Sequence, residues 1–160
     1  MTKFVVSIIS LSSVFLVLLF STQIFSRAVV DNEEIKLNQT LTKTIETIIQ
    51  KEKVVLFSKT YCRFSKKAKK VLEKYNLKNY EIIELDKLTN GEKVLNVLVK
   101  ISGISTVPQL FIGGEFIGDS KKIVSKDESG RLRELLIEAE ALHDNRPYRH
   151  LHPHPDGHLD

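Results

Sequence analysis

The sequence predicts an α/β domain with a mixed four-stranded sheet flanked by helices, preceded by an N-terminal transmembrane helix. Three observations carry this. An uncharged apolar run lies between Lys3 and Arg27. Beyond it, stretches of helical periodicity alternate with short apolar runs of strand length. Late in that alternation Gly113-Gly114 joins two such runs as a hairpin turn. The 160 residues allow one ordinary domain and an appendage. With 42% apolar and 28% charged residues, the composition is that of a globular protein.

The first run, FVVSIISLSSVFLVLLFSTQIF, holds no charge, proline or glycine. About 20 apolar residues span a bilayer core, and a helix apolar on every side does not suit a soluble core. Two readings stand for residues 1–27. As a signal-anchor, residues 4–26 would cross the membrane once, leaving Lys3 cytoplasmic and the domain lumenal. As a cleaved signal peptide, Ser26-Arg27-Ala28 would be the small-x-small cut site, freeing a soluble lumenal protein. The length of the run favours the anchor. Both routes enter the secretory pathway, and the sequon Asn38-Gln39-Thr40 lies where a lumenal chain would accept glycan.

Residues 28–36 are short, polar and acidic, and read as a stem. Leu37, Leu41, Ile45, Ile48 and Ile49 then recur at helical spacing, predicting a helix over about 37–52. Lys53–Ser58 is a short apolar run of buried-strand character. Phe64, Ala68, Val71, Leu72 and Tyr75 mark a second helix, Tyr80–Leu85 a strand, and Glu92–Ile101 a third helix. Strands Gln109–Ile112 and Glu115–Ile117 flank the glycine pair, and a closing helix covers about Arg131–Leu142. The first two strands are joined through a helix, so they should be parallel with a right-handed crossover; the hairpin is antiparallel. This order is the thioredoxin-like plan, over residues 37–142.

The tail, 143–160, holds all five histidines and three of the four prolines. It reads as flexible and polar. His150, His152 and His154 would share one side of an extended chain, as in His-rich metal-binding tracts, but nothing nearby supplies rigid geometry.

Charge argues against nucleic acid as a partner. The net charge is +4, but two of the 24 cations, Lys3 and Arg27, flank the apolar run. The rest of the chain sets the remaining cations against 20 anions, an ordinary soluble surface. A single cysteine excludes an internal disulfide framework and a cysteine-only zinc site.

That cysteine, Cys62, falls where the first strand ends and the second helix begins. A thiol there meets unpaired backbone N–H groups and the positive end of the helix dipole, which stabilise thiolate. Cations crowd the same stretch: Lys59, Arg63, Lys66, Lys67, Lys69, Lys70 and Lys74 against one acid, Glu73. Lys59 and Arg63 are the ones expected to face the sulfur. The expectation is a cysteine pKa below the free value of about 8.5. A buried structural cysteine would need an apolar setting, which Tyr61-Cys62-Arg63 does not offer.

Lys59-Thr60-Tyr61-Cys62-Arg63-Phe64-Ser65, then Thr106-Val107-Pro108, Gly113-Gly114 and Ile117-Gly118, resemble a glutaredoxin across essentially the whole domain. Ser65 stands where dithiol members carry a second cysteine, so the resemblance is to a monothiol glutaredoxin. The chain is similar to the membrane-anchored fungal glutaredoxins of the early secretory pathway, in endoplasmic reticulum or Golgi. The Cys-Gly-Phe-Ser subfamily differs, with extra residues before its cysteine and a Trp-Pro pair; this chain has no Trp.

The resemblance implies a glutathione-dependent thiol–disulfide oxidoreductase acting on glutathionylated proteins, with Cys62 as nucleophile. Lys59 would bind the glycine carboxylate of glutathione. Val107, before a cis peptide to Pro108, would offer its backbone to the cysteinyl part, with Tyr61 and Thr106 alongside. Two places depart from the family pattern. Gly118-Asp119-Ser120-Lys121-Lys122 lacks the usual acid for the γ-glutamyl amino group; Asp119 would compensate from a shifted position and Ser120 bind the γ-glutamyl carboxylate, while Lys121 or Lys122 would repel the amine. Leu95 replaces a Gln or Arg that assists binding. The expected consequence is a weaker or altered affinity for glutathione. The alternative the resemblance implies is a homodimer in which Cys62 of each chain and two glutathione thiols ligate a [2Fe–2S] cluster.

Overall fold

The computed structural model describes residues 32–143. The apolar run, the Ser26-Arg27-Ala28 cut site and the His-rich tail beyond 143 lie outside the described residues. Among the described residues, no helix is long and apolar enough to cross a membrane.

Residues 32–51 are helical (α1), so the stretch 32–36, expected to be a stem, is already helix. Asn-Glu-Glu-Ile-Lys contains no breaker, and the apolar spacing that marks the helix simply begins later. The described chain divides into a helical stretch, 32–44, and a domain from Ile45 onward. Within the former, Thr40, Thr42 and Thr44 each donate a hydroxyl to the carbonyl four residues back, at 2.9 Å.

In the domain, strands β1 (Val54–Ser58), β2 (Tyr80–Glu84), β3 (Gln109–Ile112) and β4 (Glu115–Gly118) form one sheet in the order β2-β1-β3-β4. β1 runs parallel to β2, with Ser58 opposite Glu84, and antiparallel to β3. This is the mixed thioredoxin-like sheet. Its two central strands are buried throughout, which is why both read as unbroken apolar runs rather than alternations. The hairpin is set by Gly113 and Gly114, whose φ of 57° and 87° are the two positive values a tight primed turn requires.

Side chains alternate across the sheet. Val54, Leu56, Leu110 and Ile112 face a core completed by α2 (Arg63–Leu72), α4 (Ser120–Glu128) and α5 (Arg131–Glu138), through residues such as Ala68, Leu72, Ile123 and Leu132. On the opposite face Val55, Phe57 and Phe111 are equally buried, and Phe57 meets Phe111 edge to face at 5.7 Å. Ile45 and Ile49 of α1, Leu85, and Val94, Val97 and Leu98 of α3 (Gly91–Ser102) add further buried apolar surface.

Two boundaries differ from expectation. β2 stops at Glu84, and Leu85–Lys87 form a single 3-10 turn before α3. The closing segment holds two helices, α5 and ahead of it α4, the short helix after Gly118 that the resemblance implies. α4 buries only Ile123 among its apolar residues, so periodicity does not reveal it; its signal is the Asp119 cap. α5 ends at Glu138 rather than 142. Glu140 adopts a left-handed φ of 50°, its carbonyl and carboxylate are both held by Lys53 Nζ, and Leu142 turns back to bridge Leu77.

Candidate functional site

Cys62 is the N-cap residue of α2, in extended backbone, with its own carbonyl accepting from Lys66 N–H at 3.0 Å. The helix starts here because the strand-to-helix turn closes through Cys62 N–H to Lys59 O at 3.1 Å. The thiol is partly buried and lies 3.7 Å from the Val107 carbonyl oxygen. Burial pushes its pKa up, but the Ser65 hydroxyl, the N–H groups of Ser65 and Phe64, and the Lys59 charge together outweigh burial, holding it below the ordinary thiol value. Of the two cations expected at the sulfur, Lys59 is there. Arg63 instead lays its guanidinium over the Phe64 ring, 4.7 Å from the centroid.

A cleft of about 480 Å³ opens at the thiol. Lys59, Tyr61, Cys62, Thr106, Val107, Pro108, Asp119 and Ser120 all line it, so three separate chain segments meet at one place. The Val107–Pro108 peptide is cis. Leu95 and Lys121 line the same cleft. Lys122 is placed differently: its side chain folds over Gly118, where a Cβ would meet it at 2.6 Å. Asp119 Oδ1 accepts the Lys122 N–H at 3.0 Å, so that carboxylate caps α4 while bordering the cleft.

Three further residues shape the site, and sequence reading passed over their roles. Asp86 accepts both the backbone N–H of Thr60, at 2.9 Å, and its hydroxyl, bracing the loop that carries Lys59 and Cys62. The Thr60 hydroxyl holds the Asp86 carboxyl below the usual range. The signal for this contact is the parallel register: if Ser58 lies opposite Glu84, the residues two further along each strand meet. Glu92, in the first turn of α3, pairs with Lys59 at 3.0 Å and is the main cause of the raised lysine pKa. Gln109, fully buried, donates its amide to the carbonyls of Ile104 and Thr106 at 3.0 Å each, fixing the loop that presents Val107.

The comparisons with known proteins concern this same region. Residues 54–117, from the start of β1 into β4, match the family model described as glutaredoxin. A Ricinus communis glutaredoxin is 39% identical over 102 residues, covering 64% of this chain and 98% of the relative. The chain belongs to the glutaredoxin family. An uncharacterized monothiol glutaredoxin of Caenorhabditis elegans is 43% identical over 98 residues, 61% of this chain and 67% of that protein. Among solved structures, a buckwheat glutaredoxin–glutathione complex superposes with a TM-score of 0.63 at 30% identity, over 67% of this chain and 96% of that one. The family's chemistry is thiol–disulfide oxidoreduction, and Cys62 is the one thiol in this chain able to perform it.

Proposed function

We propose that this glutaredoxin acts on protein–glutathione mixed disulfides by a monothiol mechanism, in the lumen of the early secretory pathway. The observation that carries the reading is a lone, acidified cysteine at a helix N-terminus, opening on a cleft, with Ser65 rather than a second thiol one turn along the helix. The glutathione-bound buckwheat relative supports glutathione as the occupant of that cleft. Lys59 would hold its glycine carboxylate, the backbone at Val107 its cysteinyl part, and Ser120 with Asp119 its γ-glutamyl end. Tyr61, Thr106 and Pro108 would form the walls.

The Cys62 thiolate attacks the glutathione sulfur of the mixed disulfide. A Cys62–glutathione disulfide forms as the protein–glutathione bond breaks, and the substrate cysteine leaves as thiolate and takes a proton from water. A second glutathione thiolate then attacks the adduct, releasing oxidised glutathione and regenerating Cys62 thiolate. The direction follows the redox poise of the compartment, so an oxidising lumen drives the same steps toward glutathionylation. A [2Fe–2S] cluster would need four thiolates, of which this chain supplies one. The others would come from a second chain and two glutathiones, whereas the mechanism needs no second chain.

The full chain in non-ionic detergent should turn over a glutathionylated peptide with glutathione as reductant, and Cys62→Ser should abolish that turnover. Undiminished turnover in the variant would overturn the reading. The resemblance to membrane-anchored fungal glutaredoxins and the exposed Asn38 support the lumenal placement. An endoglycosidase-sensitive mass, lost in Asn38→Gln, tests it. Retention in the membrane pellet after carbonate extraction marks the anchor, and release marks a cleaved signal.

A further inference from the structure

The exposed cations of α2 serve neither purpose that would ordinarily explain them. Arg63, Lys66, Lys67 and Lys70 are all exposed. At 3.6 residues per turn they fall within about 100° of arc, on the side away from the buried Ser65, Ala68, Val71 and Leu72. None of the four has an acidic partner among the described residues, whereas Lys69 pairs with Glu84 and Lys74 with Asp127. Glu73, just past the helix end, borders the row.

Apart from Lys70, which lies in the last turn where the dipole favours a cation, this arrangement opposes helix stability. The first turn of α2 holds no acid, although the positive end of the helix dipole favours one there. Like charges three and four residues apart also repel. Nor does the row account for the acidified thiol: the cation that lowers the Cys62 pKa is Lys59, and Arg63 is turned onto Phe64. What remains is a row of cations that starts at the residue next to the nucleophile and points outward.

We infer that this row is a docking surface for acidic segments of the protein substrate, on the reading of Cys62 as the nucleophile toward mixed disulfides. A polypeptide lying along it can deliver its own glutathionylated cysteine to Cys62, because one end of the row is at the thiol. A bilayer pressed against the same residues would also cover exposed Tyr61 and Phe64 at the mouth of the cleft and shut out the substrate. From Cys62 to Lys70 the helix advances about 12 Å, a distance that three or four extended residues span. The preferred substrates therefore carry Asp or Glu within about four residues of the modified cysteine.

The test uses the full chain in non-ionic detergent and three glutathionylated peptides of equal length, flanked by Glu, by Ser and Gly, or by Lys. The acidic peptide should exceed the neutral one about tenfold in kcat/KM at low salt. That advantage should shrink toward unity in 0.5 M salt. Lys66→Glu, Lys67→Glu and Lys70→Glu together should abolish it and favour the basic peptide, with turnover of the neutral peptide unchanged. Equal rates for acidic and neutral peptides, or a preference that survives the triple variant, would overturn the inference. If phosphatidylserine in the micelles suppresses turnover by the wild type but not the variant, and acidic peptides show no advantage, the row faces a membrane and the inference fails. Failure of the wild type on the neutral peptide would count against the mechanism instead. Fluorescence anisotropy of the acidic peptide, tight for the wild type and lost in the triple variant, would then still decide the docking surface.

Discussion

Lys59 meets two anions with one charge. Its ammonium pairs with Glu92 in the free protein, and the glycine carboxylate of glutathione would claim the same group. Glu92 is largely exposed and Lys59 is not, so the pair is screened and worth at most about 1 kcal/mol. Glu92→Gln should therefore lower the KM for glutathione, by up to about fivefold. An unchanged or higher KM would mean that Glu92 aims Lys59 rather than competing for it. The thiol gives a second prediction at this scale. Thiolate is the attacking form, so the rate should rise with pH through a midpoint below that of an ordinary thiol. The Ser65 hydroxyl is the foremost contact lowering the Cys62 pKa, and Ser65→Ala should move the midpoint of the pH–rate profile to higher pH. A profile that stays in place would show that the backbone N–H groups and Lys59 suffice.

The junction between the 3-10 turn and α3 shows an element-level conflict that packing decides. Gly91 opens α3 beneath the Leu85 carbonyl, and a Cβ there would lie 2.0 Å from that oxygen. Helix propensity alone favours Ala over Gly by about 0.5–1 kcal/mol. The clash involves backbone on one side and cannot be relieved by a rotamer change, so Gly91→Ala should instead destabilise by about 1–3 kcal/mol. Urea denaturation would reveal it, and an unchanged or raised midpoint would refute it. Because Leu85 precedes Asp86, the same substitution should loosen the brace on Thr60. α2 presents the reverse case. Its apolar spacing made it legible from sequence, and its exposed face departs from what helix stability alone would select.

At the scale of the whole domain, two exposed carboxylates join segments distant in sequence. Asp86 ties the 3-10 turn to the cysteine loop, and Glu140 ties the end of α5 to Lys53 ahead of β1. Contacts with Thr60 and Lys53 respectively hold both carboxyls below their ordinary range. A depressed folded pKa contributes stability fully above the unfolded value, about 4 for these groups, and that contribution is lost as pH falls through the folded pKa. Denaturation midpoints measured down the acid range should therefore decline, and Asp86→Asn with Glu140→Gln should flatten the decline. An equal slope in the double variant would place the acid sensitivity elsewhere. The order of elements was readable at this scale, because strands buried on both faces and amphipathic helices have distinct periods. Periodicity did not mark α4, which only the family resemblance implied, since a helix that buries one apolar side chain beside a capped start has almost no period to detect.

Sequence alone determined the alternation of helix and strand, the glycine hairpin and the placement of one cysteine at a helix start. These are local properties, set by side-chain period, backbone freedom and the dipole of a single helix. Tertiary structure decided which groups meet. The parallel register brought Asp86 to Thr60, the packing of α3 set Glu92 on Lys59, and burial aimed Gln109 at the loop carrying Val107. It also separated Lys121, at the cleft, from Lys122, folded over Gly118. Such pairings depend on how elements far apart in the chain are set against one another, and no spacing along one segment encodes that.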